Sequence, residues 1–343
     1  MNTEVLRVDP VVPDPAIIAR AAELLRAGRL VAFPTETVYG LGANALDAAA
    51  VRSIFTAKGR PATNPVIVHV AEPTQVLNVA ASWPETASCL ATQFWPGPLT
   101  IVVPRKPGVP DEVTAGGPTI ALRCPNHPVA RELIRAAGVP VAAPSANRST
   151  EISPTRAEHV FKSLNGRIDL LLDGGPCSGG IESTVVDVTG PVVRLLRPGL
   201  ITVPMLEEFV GTVEVLTRTG ADDGDVVRSP GQLARHYAPQ TPVVLFDRGW
   251  PDLDDAVMFS ILDGKRATTL EFGEARPRRP ELLRDSLHCV FMPTSPDEYA
   301  ANLYRMLHEA DDRDADLILI EMPPDTPEWA AIRDRLSRAA TRA

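Results

Sequence analysis

In the stretch FTAKGRPATNPVIVHV (55–70), Lys58 and Arg60 flank a glycine. They stand just ahead of Pro61 and Asn64-Pro65, and a near-continuous apolar strand broken by His69 follows. Cations held at the mouth of a buried strand suit an anionic ligand; a solvated loop would carry the same pair, because charged side chains are mostly exposed. Arg123 closes the apolar run TIALR and Arg197 closes VVRLLR. Both have little freedom to swing into bulk water, so each needs an anionic partner. Hydroxyls and amides gather at strand ends: Thr35 and Thr37 in FPTETVYGLG, Ser145 and Asn147 in VAAPSANRS, Ser183 and Thr184 in GGIESTVVDV. Taken singly, each also fits a turn or helix cap. A lone histidine in a strand, like His69, equally fits a hydrogen-bonded core position.

The elements that must position these groups alternate. DPAIIARAAELLRAGRLVAFPT reads as an amphipathic helix over 15–27, stopped by Gly28, then a buried strand over 30–33. Helices are expected near 47–57, 73–80, 84–93, 127–137 and 155–164. Strands are expected at 65–70 and in TIVVPR, TIALRC, VPVAAPS, LLLDGG, STVVDVT and VVRLLRPG. So many strands in under 200 residues imply an α/β fold with one large, twisted sheet. After Gly199 the texture changes: TRTGADDGDVVRSPGQLARHYAPQTP is polar and aperiodic and reads as a linker. Beyond it PVVLF, HCVFMP and DLILIEMP alternate with helical stretches over 297–310 and 327–339, the pattern of a small Rossmann-like parallel βα domain. The expected division is 14–200, a linker over 201–240, and 241–343.

At 343 residues the chain is long enough for about two domains. Its composition, 44% hydrophobic and 22% charged, is that of a globular protein. No apolar run reaches the ~18 residues of a membrane span, and the N-terminus lacks the pattern of a secretion signal, so the cytoplasm and no membrane partner are expected. The net charge of −9 argues against tight nonspecific nucleic-acid binding while leaving room for a local basic cavity. Cys89, Cys124, Cys177 and Cys289 lie far apart with no Cys-x-x-Cys, so reduced structural thiols are expected and no metal site is indicated.

Neither of two common nucleotide signatures holds in this sequence. GLGANA at 40–45 fits G-x-G-x-x-A, but PTETVY separates it from the preceding strand and no acidic residue follows at the required distance. No G-x-x-x-x-G-K-[ST] occurs, so an ATP site would have to be built another way.

FPTETVYGLG, AKGRPATNPVIVHV, FWPGPLTIVV, APSANRS with SPT, GGIESTVVDV and RPG, followed by SPGQLARHYAP, occur in that order between about residues 14 and 239. In this the chain resembles the Sua5/YrdC family, in its two-domain Sua5 form. Thr150 departs from the pattern, standing where the family commonly has glycine. The resemblance implies a YrdC-like catalytic domain with a large mixed sheet, a lid-bearing linker and a Sua5-type C-terminal domain. It implies synthesis of threonylcarbamoyl-AMP from L-threonine, bicarbonate and ATP, with release of pyrophosphate. The product serves N6-threonylcarbamoylation of adenosine 37 in tRNAs that read codons beginning with A, and would pass to a tRNA threonylcarbamoyl transferase without tight direct tRNA binding by this chain.

Such chemistry needs fixed cations and few bases, because negative charge builds on the departing pyrophosphate. The resemblance implies that Lys58 and Arg60 act in catalysis and contact ATP with Asn64, Thr119, Ser145, Asn147, Ser153 and Arg197, joined by His236 and Tyr237 from the lid. Thr35, Thr37, His69, Arg123, Ala143 through its backbone and Ser183 would hold threonine, with the Arg123 fork on its carboxylate. Magnesium would arrive with ATP, with Glu36 and Glu182 able to reach it through water. Two further readings remain: a YrdC-like carbamoyl transferase of the hydrogenase-maturation type, and a double-stranded RNA-binding module without catalysis. The missing Cys-x-x-Cys pairs weigh against the first, the acidic charge against the second.

Overall fold

The computed structural model describes residues 2–216, 237–246, 263–274 and 287–340. The chain divides into two compact units. One holds the described residues up to Ser149 and from Ser153 to 216; the other holds Thr150–Ile152 and the described residues from 237 onward.

The first unit is built on strands β1 (Glu4–Arg7), β2 (Val31–Phe33), β3 (Gly40–Asn44), β4 (Ile67–His69), β5 (Leu99–Pro104), β6 (Thr119–Arg123), β7 (Val141–Ala142), β8 (Leu170–Asp173), β9 (Thr184–Asp187), β10 (Val193–Arg197) and β11 (Val213–Val215). They form one eleven-stranded mixed sheet in the order β1-β8-β2-β3-β7-β4-β6-β5-β9-β10-β11. Its helices are α1 (Pro15–Arg26), α2 (Ala48–Lys58), α3 (Glu85–Phe94), α4 (Asp111–Thr114), α5 (Pro128–Ala137), α6 (Ala157–Leu164) and α7 (Val203–Val210).

Local chemistry sets the helix that carries the first cation. Asp47 caps α2 by accepting from the N–H groups of Ala49 and Ala50, and Gly59 ends it in the left-handed conformation at φ 61°. Lys58 is therefore the last helical residue, and Arg60 is the first residue of the loop that Gly59 opens.

The two faces of the sheet are covered differently. Ala32, Leu41, Val68, Ile101, Leu122, Val186 and Leu195 pack on one face with residues of α2, α3, α6 and α7. On the other, α1 and α5 pack on Val31, Phe33, Val141, Ala143, Leu170 and Leu172. Farther along that second face, Ile67, Val102, Ala121, Val185 and Leu196 form a separate small cluster with no helical residue in it. Strand alternation puts His69, Thr119 and Arg123 on this helix-free stretch.

Three strands go beyond the elements expected from sequence. β1 and β11 extend the sheet on both sides of the 14–200 span, and α7 with β11 places 203–215 in the first unit rather than in a linker. β3 is the GLGANA stretch. Its glycines serve packing: β2 pairs with β3 as Phe33↔Gly40 and Val31↔Gly42, and a Cβ on Gly42 would lie 2.7 Å from Phe33 Cε1 and 3.0 Å from Val141 Cγ1. A phenylalanine ring fills the space that the two side chains leave empty.

The second unit has a parallel sheet, β12 (Val243–Phe246), β13 (Ala267–Phe272), β14 (Leu287–Met292) and β15 (Leu317–Glu321), in the order β12-β15-β13-β14, with helices α8 (Pro296–Asp311) and α9 (Ala330–Ala339). This agrees with the small parallel βα domain read from the sequence. Among the described residues no helix is long and apolar enough to cross a membrane.

Gly42→Ala should destabilise the protein by about 1–3 kcal/mol through overpacking against Phe33, leaving the ATP affinity of the folded fraction unchanged. Urea denaturation and nucleotide titration separate the two. A lost ATP affinity at unchanged stability would return GLGANA to the role of a phosphate loop.

Candidate active site

Burial settles the first ambiguity of the sequence. Lys58 and Arg60 are 2% and 7% exposed, so neither belongs to a solvated loop. The Lys58 ammonium donates to the carbonyl oxygens of Ser145, at 2.6 Å, and of Asn147, and lies 3.4 Å from Asn147 Oδ1. Three acceptors match the three protons of an ammonium. Lys58 thus fastens the end of α2 to the Ser145–Asn147 loop, whose Ser145 also bridges to Gly40. Arg60 curls over its own loop, Nε donating to Asn64 O at 3.1 Å and Nη2 to Pro65 O at 2.8 Å. Asn64 is 1% exposed, and among the described residues neither its amide nitrogen nor its amide oxygen has a hydrogen-bond partner. A buried primary amide held that way is a ready receptor for a polar ligand.

His69 and Arg123 come together through register. β4 and β6 run parallel with His69 opposite Arg123, and His69 is opposite Val141 on its other side. The Arg123 guanidinium, 4% exposed, donates from Nε to Gly97 O at 3.3 Å and brings Nη2 to 2.8 Å from Glu36 Oε1. Burial first, and the Arg123 charge beside it second, push the His69 pKa down to about 3, so the imidazole is neutral. Its Nδ1 has no hydrogen-bond partner among the described residues. Ala143 lies just past β7 on the same face, and its N–H is committed to Ile67 O at 2.9 Å. A backbone contact from Ala143 to a ligand would therefore fall to its carbonyl.

The remaining hydroxyls are tied into short networks. Thr35 Oγ1 donates to Val38 O at 2.6 Å, accepts from the N–H of Thr37, and meets Thr37 Oγ1 at 2.9 Å, closing the turn after β2. Ser183 Oγ lies 2.7 Å from Thr100 Oγ1 and accepts from Arg197 Nη2 at 3.1 Å, while Arg197 Nε donates to Ser183 O. Arg197 reaches this face because of a bulge. β9 and β10 pair Leu195 with Val186 but Arg197 with Val185, so one extra residue turns the arginine away from the helix-covered core. Ser153 Oγ donates to Glu182 Oε1 at 2.5 Å. Thr119 opens β6 and lines a cavity of about 560 Å³ together with Val66, Thr114, Gly117, Ala121 and Thr189.

Tyr237 belongs to the second unit. Its ring is packed there, 5.7 Å from that of Tyr304 and beneath the Arg335 guanidinium at 5.4 Å. His236, Arg235 and most of the lid segment fall outside the described residues. Thr150 adopts φ 73°, the left-handed region that suits glycine. Burial raises the thiol pKa of Cys124, to about 11, and of Cys177 further, so both are inert structural thiols. Sequence reading left Glu36 without a place beside Arg123, because no local signal pairs residues so far apart.

Residues 23–199 match the Sua5/YciO/YrdC family described as "Telomere recombination", and residues 201–341 match "Threonylcarbamoyl-AMP synthase, C-terminal domain". The chain belongs to the Sua5 family. The Bacillus subtilis threonylcarbamoyl-AMP synthase is 42% identical over 324 residues, covering 94% of this chain and 92% of its own. The Pyrococcus abyssi synthase is 39% identical, covering 93% of each. The crystal structure of P. abyssi Sua5 complexed with L-threonine matches this Sua5-family chain with a TM-score of 0.91 at 37% identity, over 98% of both chains. A P. abyssi Sua5 variant with two alanine substitutions, at a histidine and the tyrosine after it, matches with 0.90 at 36% identity, over 98% and 96%.

The histidine gives a pH signature. Its ordinary value is 6.5 and its native value about 3, so below 6.5 the unfolded chain takes up a proton that the native protein refuses. Stability is intact above pH 6.5 and falls as pH drops toward 3. Between pH 7 and 5 the wild type should lose about 2 kcal/mol more than His69→Gln, measured by urea denaturation at both pH values. Equal losses would mean that His69 is protonated in the native state.

Proposed function

We propose that this chain is a threonylcarbamoyl-AMP synthase, a nucleotidyltransferase that joins L-threonine, bicarbonate and ATP into threonylcarbamoyl-AMP, pyrophosphate and water. The observation that carries the reading is strand β6. Its one face presents Thr119 at the cavity, then Ala121, then Arg123 beside His69. The four residue steps from Thr119 to Arg123 span about 13 Å, the scale on which an adenylate and an aminoacyl group lie end to end.

In this reading the cavity at the Thr119 end takes the nucleotide, and the Arg123 fork takes the threonine carboxylate. The neutral His69 imidazole and the Thr37 and Ser183 hydroxyls face the rest of the amino acid, and Thr35 holds the turn that presents them. The carbonyl of Ala143 closes that end. The threonine amine attacks the bicarbonate carbon, and water leaves. A carbamate oxygen then attacks the α-phosphorus, the P–O bond to the β-phosphate breaks, and pyrophosphate departs. Lys58, Arg60 and Arg197 place positive charge where that negative charge develops, and their partners fix them before substrate arrives. Asn64, Ser145, Asn147 and Ser153 complete the polar rim on the nucleotide side. Magnesium enters bound to the ATP phosphates. The product passes to a transferase that acts on tRNA in the cytoplasm.

The deciding measurement is mass spectrometry of the product formed from threonine, bicarbonate and Mg-ATP. Threonine-dependent pyrophosphate release supports the synthase; dependence on carbamoyl phosphate would favour the carbamoyl transferase, and no release the RNA-binding module. Within the synthase, Arg123→Lys should weaken threonine at least about tenfold while leaving ATP affinity within about twofold, because lysine lacks the planar fork. Calorimetric titration of both ligands checks this. Equal losses would make Arg123 a residue that shapes the cavity rather than one that reads the amino acid.

A further inference from the structure

We propose that Glu36 binds the α-ammonium of threonine and accepts the proton that the amine must lose before it attacks bicarbonate. The inference rests on the synthase reading and assigns a catalytic residue to it. Glu36 sits in the turn after β2, which the Thr35 hydroxyl closes on Val38. Its own carbonyl accepts from the N–H of Gly179 at 2.6 Å, so the backbone is held on both sides. The side chain is 12% exposed and brings Oε1 to 2.8 Å from Arg123 Nη2. That approach balances charge without making a hydrogen bond: among the described residues neither carboxylate oxygen of Glu36, nor Arg123 Nη2, has a hydrogen-bond partner, and all three atoms are buried.

A buried carboxylate ordinarily accepts several hydrogen bonds. One that accepts none, next to an Arg123 Nη2 that donates none, lacks a donor on one side and an acceptor on the other. An α-amino acid supplies both. Its carboxylate and ammonium hang on one carbon, so a receptor for the zwitterion needs a cation and an anion a few ångströms apart, and Arg123 and Glu36 meet that demand. The incoming carboxylate takes the Arg123 fork, and Glu36 turns from that contact to the ammonium beside it.

The chemistry requires such a group. An ammonium nitrogen has no lone pair, so one N–H bond must break first, its electron pair staying on nitrogen and its proton passing to a Glu36 oxygen. The amine then forms the C–N bond to bicarbonate, the C–OH bond breaks, and a second nitrogen proton leaves with that hydroxide as water. The proton on Glu36 returns to solvent. His69 is not that acceptor, since burial and Arg123 hold its pKa near 3.

The test uses Glu36→Gln in the full chain, which keeps volume and removes charge and basicity. Three ligands are titrated: ATP, L-threonine, and (2S,3R)-2,3-dihydroxybutyrate, which replaces the ammonium with a hydroxyl. ATP and the dihydroxy acid should bind the variant within about twofold of wild type, and threonine at least about tenfold more weakly. Pyrophosphate release should fall about a hundredfold at pH 7.5 and recover toward wild type by pH 9.5, where the free amine forms in solution. Glu36→Asp should keep most of the threonine affinity. Threonine binding to Glu36→Gln as tightly as to wild type, or more tightly, would overturn the assignment and leave Glu36 a mere counter-ion that the substrate carboxylate displaces; so would equal losses for threonine and the dihydroxy acid. A wild-type protein that binds no threonine at all would overturn the synthase reading itself.

Discussion

A cation taken out of water must find its partners inside the protein, and the candidate site is organised around that requirement. Lys58, Arg60, Arg123 and Arg197 are each less than a tenth exposed. Each meets backbone carbonyls: Lys58 those of Ser145 and Asn147, Arg60 those of Asn64 and Pro65, Arg123 that of Gly97, and Arg197 that of Ser183. A carbonyl dipole orients a cation without cancelling its charge. The carbonyls in turn belong to the loops that follow α2 and β7 and precede β5 and β9, so the same contacts that make burial tolerable also fix the loops. Catalysis by preorganised charge needs this property, since nothing has to reorient when negative charge appears.

The unsatisfied atoms are the complement of that order. Asn64, His69, Arg123 and Glu36 each keep at least one buried polar atom without a hydrogen bond among the described residues. Each such atom costs about 1–3 kcal/mol relative to a satisfied one. All four side chains come from loops or strand ends at β2, β4 and β6, and the helix-covered face of the sheet beneath them is apolar. The strain is therefore placed where ligand groups can relieve it, on top of a core stable enough to hold it.

Much of this was legible in the sequence, for physical reasons. Apolar runs mark the strands β4, β5, β6, β9 and β10, and His69, Arg123, Ser183 and Arg197 at strand ends mark the candidate site. Other features depend on partners that no window of sequence contains. Period-two alternation in VVRLLRPG puts Arg197 on the same side as Leu195, toward the core; only the shifted pairing with β9 turns it out. Likewise EVLR and VEV are too short to read as strands alone, and they become β1 and β11 by adding to edges already formed. Lys58 and Arg60 read as cations with no sign that the carbonyls of Ser145 and Asn147 claim the first and those of Asn64 and Pro65 the second. Glu36 reads from the sequence only as a group able to reach magnesium through water, because its counter-charge, Arg123, lies on a strand much later in the chain.

The fate of GLGANA shows why this fold needs side-chain cations at all. In a glycine-rich phosphate loop the backbone N–H groups and a helix N-terminus carry the anion, and the glycines let it come close. Here the two glycines lie inside an antiparallel strand, their N–H groups belong to the sheet, and the space above them is filled by Phe33. Charge for a phosphate must then come from side chains spaced along strands and loop ends. That substitution has a consequence beyond the phosphate. A backbone nest reads one anion, whereas side chains two residues apart on one strand read whatever lies along it. In the proposed reaction the register that sets Thr119 at the nucleotide also sets Arg123 at the amino acid, so a single strand aligns the two reacting partners.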